Sequence, residues 1–214
     1  MKKTGLVFEE EKHLYSLDGH PVVGVTSTLS EAFGDPYAQI SAASRQYALE
    51  LGKAVHRWTV IDDGPEDQRV EPSSDQMRGY LAAWRKFKCE NVTVIEGIEQ
   101  QVFSRRYQYA GTLDRILMMN NLLGGNKKGR VLIDIKSGTA RYPYDALQTI
   151  AYQIAWEEMN HPHKIYHRAT VMIHQDGNYE LVWHCNKTDR NVWLAVLSVI
   201  GWKHAHNIKA EVPI

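Results

Sequence analysis

Two carboxylates and an amine stand inside segments whose other residues are those of buried strands, and that conflict narrows what the chain can fold into. Val131-Leu132-Ile133 is an unbroken apolar run of the kind a strand covered on both faces shows, yet it leads directly into Asp134-Ile135-Lys136. The apolar stretch before it carries Gly111-Thr112-Leu113-Asp114. An ionised Asp in such a place costs several kcal/mol unless a cation or hydrogen bonds compensate. Alternate residues of a strand share a face, so Asp134 and Lys136 point to one side, with Asp114 one hairpin away. Two carboxylates about 4 Å apart repel by about 4 kcal/mol at an effective dielectric of about 20. A hard divalent cation turns that repulsion into binding. Taken singly, Asp134 and Lys136 are a same-face ion pair at a strand end; Asp114 makes the pattern one of metal binding.

The rest of the chain supplies a frame for these strands. Short β-like pieces, Leu6 to Phe8, Leu14 to Leu17 and Val22 to Val25, surround the Asp18-Gly19 turn signal. Asp35 before Pro36 predicts an N-cap for an alanine-rich helix running to Ile61, and Ser73 with Gln76 predicts a capping box for a second helix reaching Phe87. Between them, 62–74 is rich in acid, Gly and Pro and reads as a loop. Val92 to Ser104, Tyr107 to Met119 and Arg130 to Lys136 predict an antiparallel meander. Gly124 to Gly129 superficially resembles a phosphate-binding loop, but Arg130-Val131 replace Lys-Ser/Thr and a strand follows, so that reading is rejected. A helix over Tyr142 to Asn160, strands over Ile165 to His174 and Tyr179 to His184, and a helix over Asp189 to His204 complete the chain. Strand, crossover helix and strand imply a right-handed parallel addition. The expected fold is α/β, a central mixed β-sheet flanked by helices. A single domain over 1–214 is expected: hairpin and helices over 1–90, a core over 91–185 and a closing helix over 186–214.

Composition restrains the functional reading. Lys+Arg and Asp+Glu are 25 each, so any phosphate-binding surface is local. Cys89 and Cys185 are too few for a disulfide framework or for the four thiolates of an iron–sulfur cluster, so no cluster is expected. No run approaches the roughly 20 apolar residues of a membrane span, and the first residues lack a signal-peptide core. The expected location is the cytoplasm, with no membrane partner.

The order of Asp114, Asp134 and Lys136 resembles the PD-(D/E)XK nuclease superfamily, with GTLD in place of PD as in its RecB-like branch. That resemblance implies a restriction-endonuclease-like core in which Asp114, Asp134 and the carbonyl of Ile135 hold magnesium or manganese, as one or two ions. Lys136 is then the residue that positions the attacking water. Gly52-Lys53-Ala54-Val55-His56 resembles the family's helical glycine-to-histidine motif, which makes His56 a metal ligand; a lone helical His is otherwise a structural or surface residue. Gln148 and Tyr152 are four apart on one helix face and match the family's next motif, whose residues hold the substrate backbone and orient the lysine. The alternative is a packed Tyr152 and a solvated Gln148. Glu99 matches an acidic position on the preceding strand, although Glu96 competes for that place. The resemblance covers most of the chain and is nearest to compact exonucleases such as those of bacteriophages.

The implied activity is metal-dependent DNA cleavage, as an exonuclease in DNA recombination, repair or phage DNA processing. DNA, single- or double-stranded, is the implied partner, with a single-strand-binding or annealing protein as a second one. A flap or single-strand endonuclease, a catalytically inactive DNA-binding module of the same fold, and a metal-dependent hydrolase of another substrate are the alternatives. Arg105, Arg106, Lys127, Lys128, Arg130 and Arg141 are candidate phosphate contacts. His161-Pro162-His163 with His167 lacks Cys or carboxylate partners for structural zinc. Trp84, Trp156 and Trp193 lie in helix-periodic patterns and are expected to pack.

Overall fold

The structure, a computed structural model, describes residues 5–9, 14–35, 37–138, 140–159 and 164–208. Among these, eight strands form one sheet: β1 (Leu6–Glu9), β2 (Leu14–Leu17), β3 (His20–Gly24), β4 (Val92–Ser104), β5 (Tyr109–Met119), β6 (Gly129–Lys136), β7 (His167–Ile173) and β8 (Tyr179–Trp183). The helices are α1 (Val25–Phe33), α2 (Ala42–Asp63), α3 (Asp75–Asn91), α4 (Asp145–Glu158) and α5 (Asp189–Ala205). The expected meander is present, with β4, β5 and β6 antiparallel. α4 then carries the chain to β7, which lies parallel to β6, and β8 returns antiparallel. The α/β class with a mixed sheet is therefore observed. None of the described helices is long and apolar enough to cross a membrane.

Strand alternation sorts the side chains of β6. Leu132 packs with α1, α4 and α5, while Val131, Ile133 and Ile135 pack with α2 and α3 around Val55, Trp84 and Phe87. Asp134 and Lys136 share parity with Leu132 and so face α4. Trp84, Trp156 and Trp193 are buried as expected.

Several local expectations shift. Val25 opens α1 instead of ending a strand, because Ser27 and Thr28 donate their hydroxyls back to Gly24 O at 2.9 and 2.8 Å. The buried Val25, Thr28 and Leu29 then form an i, i+3, i+4 stripe against α4 and α5. Tertiary burial overrides the weak helix propensity of this β-branched segment. Ser41, not Asp35, caps α2, its Oγ accepting from Ser44 N at 3.1 Å; Asp35 instead accepts from Tyr37 N in a turn. Pro36 lies outside the described residues, as do Asn160 and His161-Pro162-His163. α3 begins one residue later than the predicted box, with Ser74 accepting from Met77 N at 3.3 Å, and Gln76 turns to Tyr47 and Gln175.

The parallel pairing of β3 with β5 is the one topological link that no periodicity announces, and it shapes the site. One edge of β5 pairs with β4 along most of its length. Its other edge pairs with β3 at Tyr109 and Ala110, and with β6 from Arg115 onward. Between these partners, 111–114 has an open edge. Tyr109, Leu113 and Ile116 share the α4-side core whereas Leu117 and Met119 lie on the other side, so the in–out alternation slips by one residue near Asp114.

Candidate metal and catalytic site

The open edge of β5 is filled by a side chain. Asp114 Oδ2 accepts the Ile135 backbone N–H at 2.6 Å, satisfying a ladder donor that has no strand partner there. This bond locks Asp114 beside the last residues of β6, where Asp134 and Lys136 project toward α4. Asp134 is 2% exposed, and its Oδ1 accepts from Gln148 Nε2 at 2.8 Å and from Lys136 Nζ at 3.3 Å. Lys136 Nζ is also 3.0 Å from Asp134 Oδ2, an ion pair without hydrogen-bond alignment, which leaves that buried oxygen lacking a proper donor. Lys136 further donates to Gln148 Oε1 at 3.1 Å, and Gln148 Nε2 lies 3.3 Å from the Tyr152 hydroxyl. The i, i+4 pair on α4 thus engages the strand pair directly, and the solvated reading of Gln148 is set aside by its burial.

His56 arrives from the opposite layer. Its neighbour Val55 is buried in the α2–α3 core, which fixes the helix so that His56 Nε2 donates to Ile135 O at 3.0 Å. Nδ1 lies 3.6 Å from Asp114 Oδ1 and 3.8 Å from Glu99 Oε1. Burial disfavours the imidazolium, but Asp114, Glu99 and Asp134 outweigh it and raise the pKa to about 9. Glu99 sits across from Asp114 in the β4–β5 pairing, between the partners Ile98–Arg115 and Gln100–Leu113, with a left-handed φ of 46°. A non-glycine residue held there stores strain of about 1 kcal/mol, of the kind that clusters at functional sites. Burial raises the Glu99 pKa, yet His56 and Arg115 bring it below the usual carboxylate value. Glu96, the competing residue, pairs with Arg130 instead. For Asp134, burial and the nearby Asp114 push the pKa up to about 6 against the pull of Lys136. Burial opposes the Lys136 ammonium, but Asp134, Asp145 and Asp114 raise its pKa nonetheless.

Ligating atoms of His56, Glu99 and Asp114 all lie within 4.8 Å of one another. An imidazole with two carboxylates suits a divalent cation, and Asp134, whose Oδ2 lacks a hydrogen-bond donor, lines a cleft of about 190 Å³ together with His56 and Asp114. The donor set therefore fits a metal. Asp134 stands outside this trio, its carboxylate turned to Lys136 and Gln148, and Glu99 joins His56 and Asp114 as a further candidate ligand. In the metal-free state a doubly protonated His56 supplies the positive charge between the acids. Manganese affinity is accordingly expected to rise about tenfold per pH unit and to level off near the His56 pKa of about 9, because binding must displace one proton. His56→Ala should bind manganese more weakly and lose that slope. Calorimetric titration across pH reads both, and an unchanged affinity returns His56 to a structural role.

Gly111 is required by close approach. A Cβ there would lie 2.6 Å from Tyr152 Cε1 and 3.3 Å from Val25 Cγ2. Gly111→Ala is expected to cost about 1–3 kcal/mol of stability by pushing the Tyr152 ring aside, and to loosen Gln148 with it. Thermal melting checks this; a variant as stable as the parent contradicts it.

Four residues of the site escape sequence reasoning. Arg115 is fully buried, donating from Nε to Asp63 Oδ2 at 2.7 Å and from Nη2 to Thr59 Oγ1 at 3.0 Å. Its Nη1 donates to Glu99 Oε1 at 3.1 Å and to the Asp114 carbonyl at 2.8 Å. Asp145, at the start of α4, has its pKa pushed up to about 6 by burial and by Asp134, against the pull of Lys136. The available signal was Arg115 itself, a charge inside the apolar run Leu113 to Met119. By contrast, Arg105, Arg130 and Arg141 of the candidate phosphate contacts are paired with Asp18, Glu96 and Glu180.

No family model matches the sequence, and no curated protein matches it. Among solved structures, LHK-Exo in complex with dAMP is similar over 87% of this chain and 89% of its own, with a TM-score of 0.41 and 13% identity. An alkaline exonuclease (LHK-Exo) from Laribacter hongkongensis is similar over 86% and 94%, with a TM-score of 0.35 and 12% identity. Likeness at this level leaves function to the geometry of the site.

Proposed function

We propose that residues 1–214 form one nuclease domain of the PD-(D/E)XK type, hydrolysing phosphodiester bonds in DNA with magnesium or manganese. The observation that carries this reading is the Asp134–Lys136–Gln148 network beside the His56–Glu99–Asp114 trio, a cluster of charged groups around the buried Asp114 and Asp134 that packing alone does not require. His56, Glu99 and Asp114 would hold the cation, with Asp134 and the Ile135 carbonyl as the further ligands that the family resemblance implies. A divalent ion in this place supplies Lewis-acid polarisation of a phosphoryl oxygen and acidifies the attacking water. The remaining work belongs to the chain. Lys136, steadied by Gln148, orients water through Nζ and balances charge that develops on the phosphoryl oxygens. Tyr152, held neutral by burial, keeps Gln148 in place. Asp114 is fixed by its bond to Ile135 N and needs little reorganisation to serve as a ligand.

Within this reading, the resemblance of the motif order to compact exonucleases supports attack from a DNA end, in cytoplasmic recombination, repair or phage DNA processing. A single-strand-binding or annealing protein is the partner class that this resemblance implies. Incubation of the purified protein with end-labelled linear DNA and covalently closed circles in magnesium and manganese tests it. Loss of the linear substrate with intact circles is expected. Rapid nicking of circles makes the protein an endonuclease while leaving the metal site standing. Inactivity on single- and double-stranded DNA in both metals returns it to a DNA-binding module.

A further inference from the structure

At the N-terminal end of α4, three aromatic rings are stacked, and the outermost of them, Phe33, is left open to solvent. Phe33, the last residue of α1, stacks on Tyr144 with centroids 5.9 Å apart and planes at 13°. Tyr142 stacks on Tyr144 at 5.1 Å and 14°, so Tyr144 is common to both contacts. Phe33 remains 49% exposed and the two tyrosines are half-buried, whereas rings that serve the core, such as Trp84 and Trp193, are completely enclosed. The Tyr144 hydroxyl is buried yet has no hydrogen-bond partner among the described residues. A buried hydroxyl without a partner costs about 1–3 kcal/mol.

The placement of the stack ties it to the cleft. Tyr144 is the N-cap of α4, and its carbonyl accepts from Gln148 N at 2.9 Å. The rings therefore stand one helical turn from the residue that holds Asp134 and Lys136. Nearby cations are already engaged: Arg141 pairs with Glu180, and Arg45 with Asp35 at 2.7 Å. An occupant of this face is recognised through flat apolar surface more than through phosphate. Unpaired nucleobases have exposed π-faces and stack on aromatic side chains regardless of sequence, whereas bases inside a duplex have both faces covered.

We propose that Phe33, Tyr144 and Tyr142 form a stacking platform for unpaired bases of a single DNA strand whose backbone leads into the cleft. The inference rests on the nuclease reading for its substrate and names the strand state that the site takes.

Fluorescence anisotropy of the full chain in EDTA, at low salt, tests the platform without catalysis. The probes are a labelled short oligothymidylate, an abasic strand of equal length and a blunt duplex. The parent protein should bind the base-bearing strand more tightly than the other two. Phe33→Leu and Tyr142→Leu, which keep apolar bulk and remove the π-face, should each weaken that strand by about tenfold and change the abasic strand by less than about twofold. Phe33→Trp should retain binding, and unchanged melting temperatures confirm that the variants are folded. Equal parent affinity for base-bearing and abasic strands overturns the proposal, as do unchanged affinity in both Leu variants and equal losses on the abasic strand. Because the readout needs no cleavage, inactivity on DNA would overturn the nuclease reading alone.

Discussion

Asp134→Ala and Lys136→Ala are each expected to lower DNA cleavage about a thousandfold or more while the protein stays folded, since in the proposed mechanism Lys136 orients the attacking water and Asp134 holds Lys136 beside the cation site. Circular dichroism and melting establish the fold, and end-labelled DNA in magnesium reports the activity. Near-parent cleavage by either folded variant sinks the assignment of the site. Stability should move in the opposite direction for the conservative change. The folded-state pKa of Asp134, about 6, lies above the ordinary carboxylate value of about 3.9, because burial disfavours its charge. Its contribution to metal-free stability is therefore fully present below about pH 4 and is lost as the pH rises through about 6. Asp134→Asn escapes this loss. In EDTA the variant should melt above the parent at neutral pH, and the difference should shrink toward pH 4. A constant difference across that window shows that Asp134 is not the titrating group.

Arg115→Ala is expected to be the most destabilising of these substitutions, by about 3–5 kcal/mol, because it leaves buried charge without its partner. Asp63 is completely enclosed, and although Lys88 Nζ and Trp84 Nε1 also reach it, the guanidinium supplies the Nε contact at 2.7 Å. Arg115 also bonds Thr59 on α2, Glu99 on β4 and its own strand at Asp114, so its loss loosens the two elements that bring His56 and Glu99 together. Manganese affinity should fall together with stability. Urea denaturation of Arg115→Ala, Asp63→Leu and the double variant reads the coupling directly. Paired removal should cost less than the sum of the single changes. A loss below about 1 kcal/mol for Arg115→Ala would mean that Lys88 alone neutralises Asp63.

Some of the chain could be read without its structure because the responsible interactions are local. The β4–β5–β6 meander follows from apolar runs with short connections, and α4 follows from the stripe at Leu147, Ile150, Ala151 and Ile154. The i, i+2 parity of β6 places Asp134 and Lys136 on one side, and the i, i+4 spacing of α4 places Gln148 beside Tyr152. These periods are properties of the backbone. Cap positions were less legible: Ser73 and Ser74 are adjacent hydroxyls, and only the entry angle of the chain selects Ser74. The helix α1 was hidden for a related reason, since Val25, Thr28 and Leu29 become helical by packing on α4 and α5.

What the sequence by itself determined is the strand and helix that carry each charge, and the conflict between those charges and their apolar surroundings. Only the tertiary structure decided which charges meet. The parallel junction of β3 with β5 leaves the edge at Asp114 open, and Ile135 N–H closes it. Asp134 is drawn to Lys136 and Gln148, and Glu99 stands beside His56 and Asp114. Arg115 bonds Asp63 and Glu99, residues 52 and 16 positions away along the chain. Periodicity fixes the direction of a side chain relative to its own element, but the docking of α2, β4 and β5 is set by the summed burial of many apolar groups. Local spacing cannot express that sum.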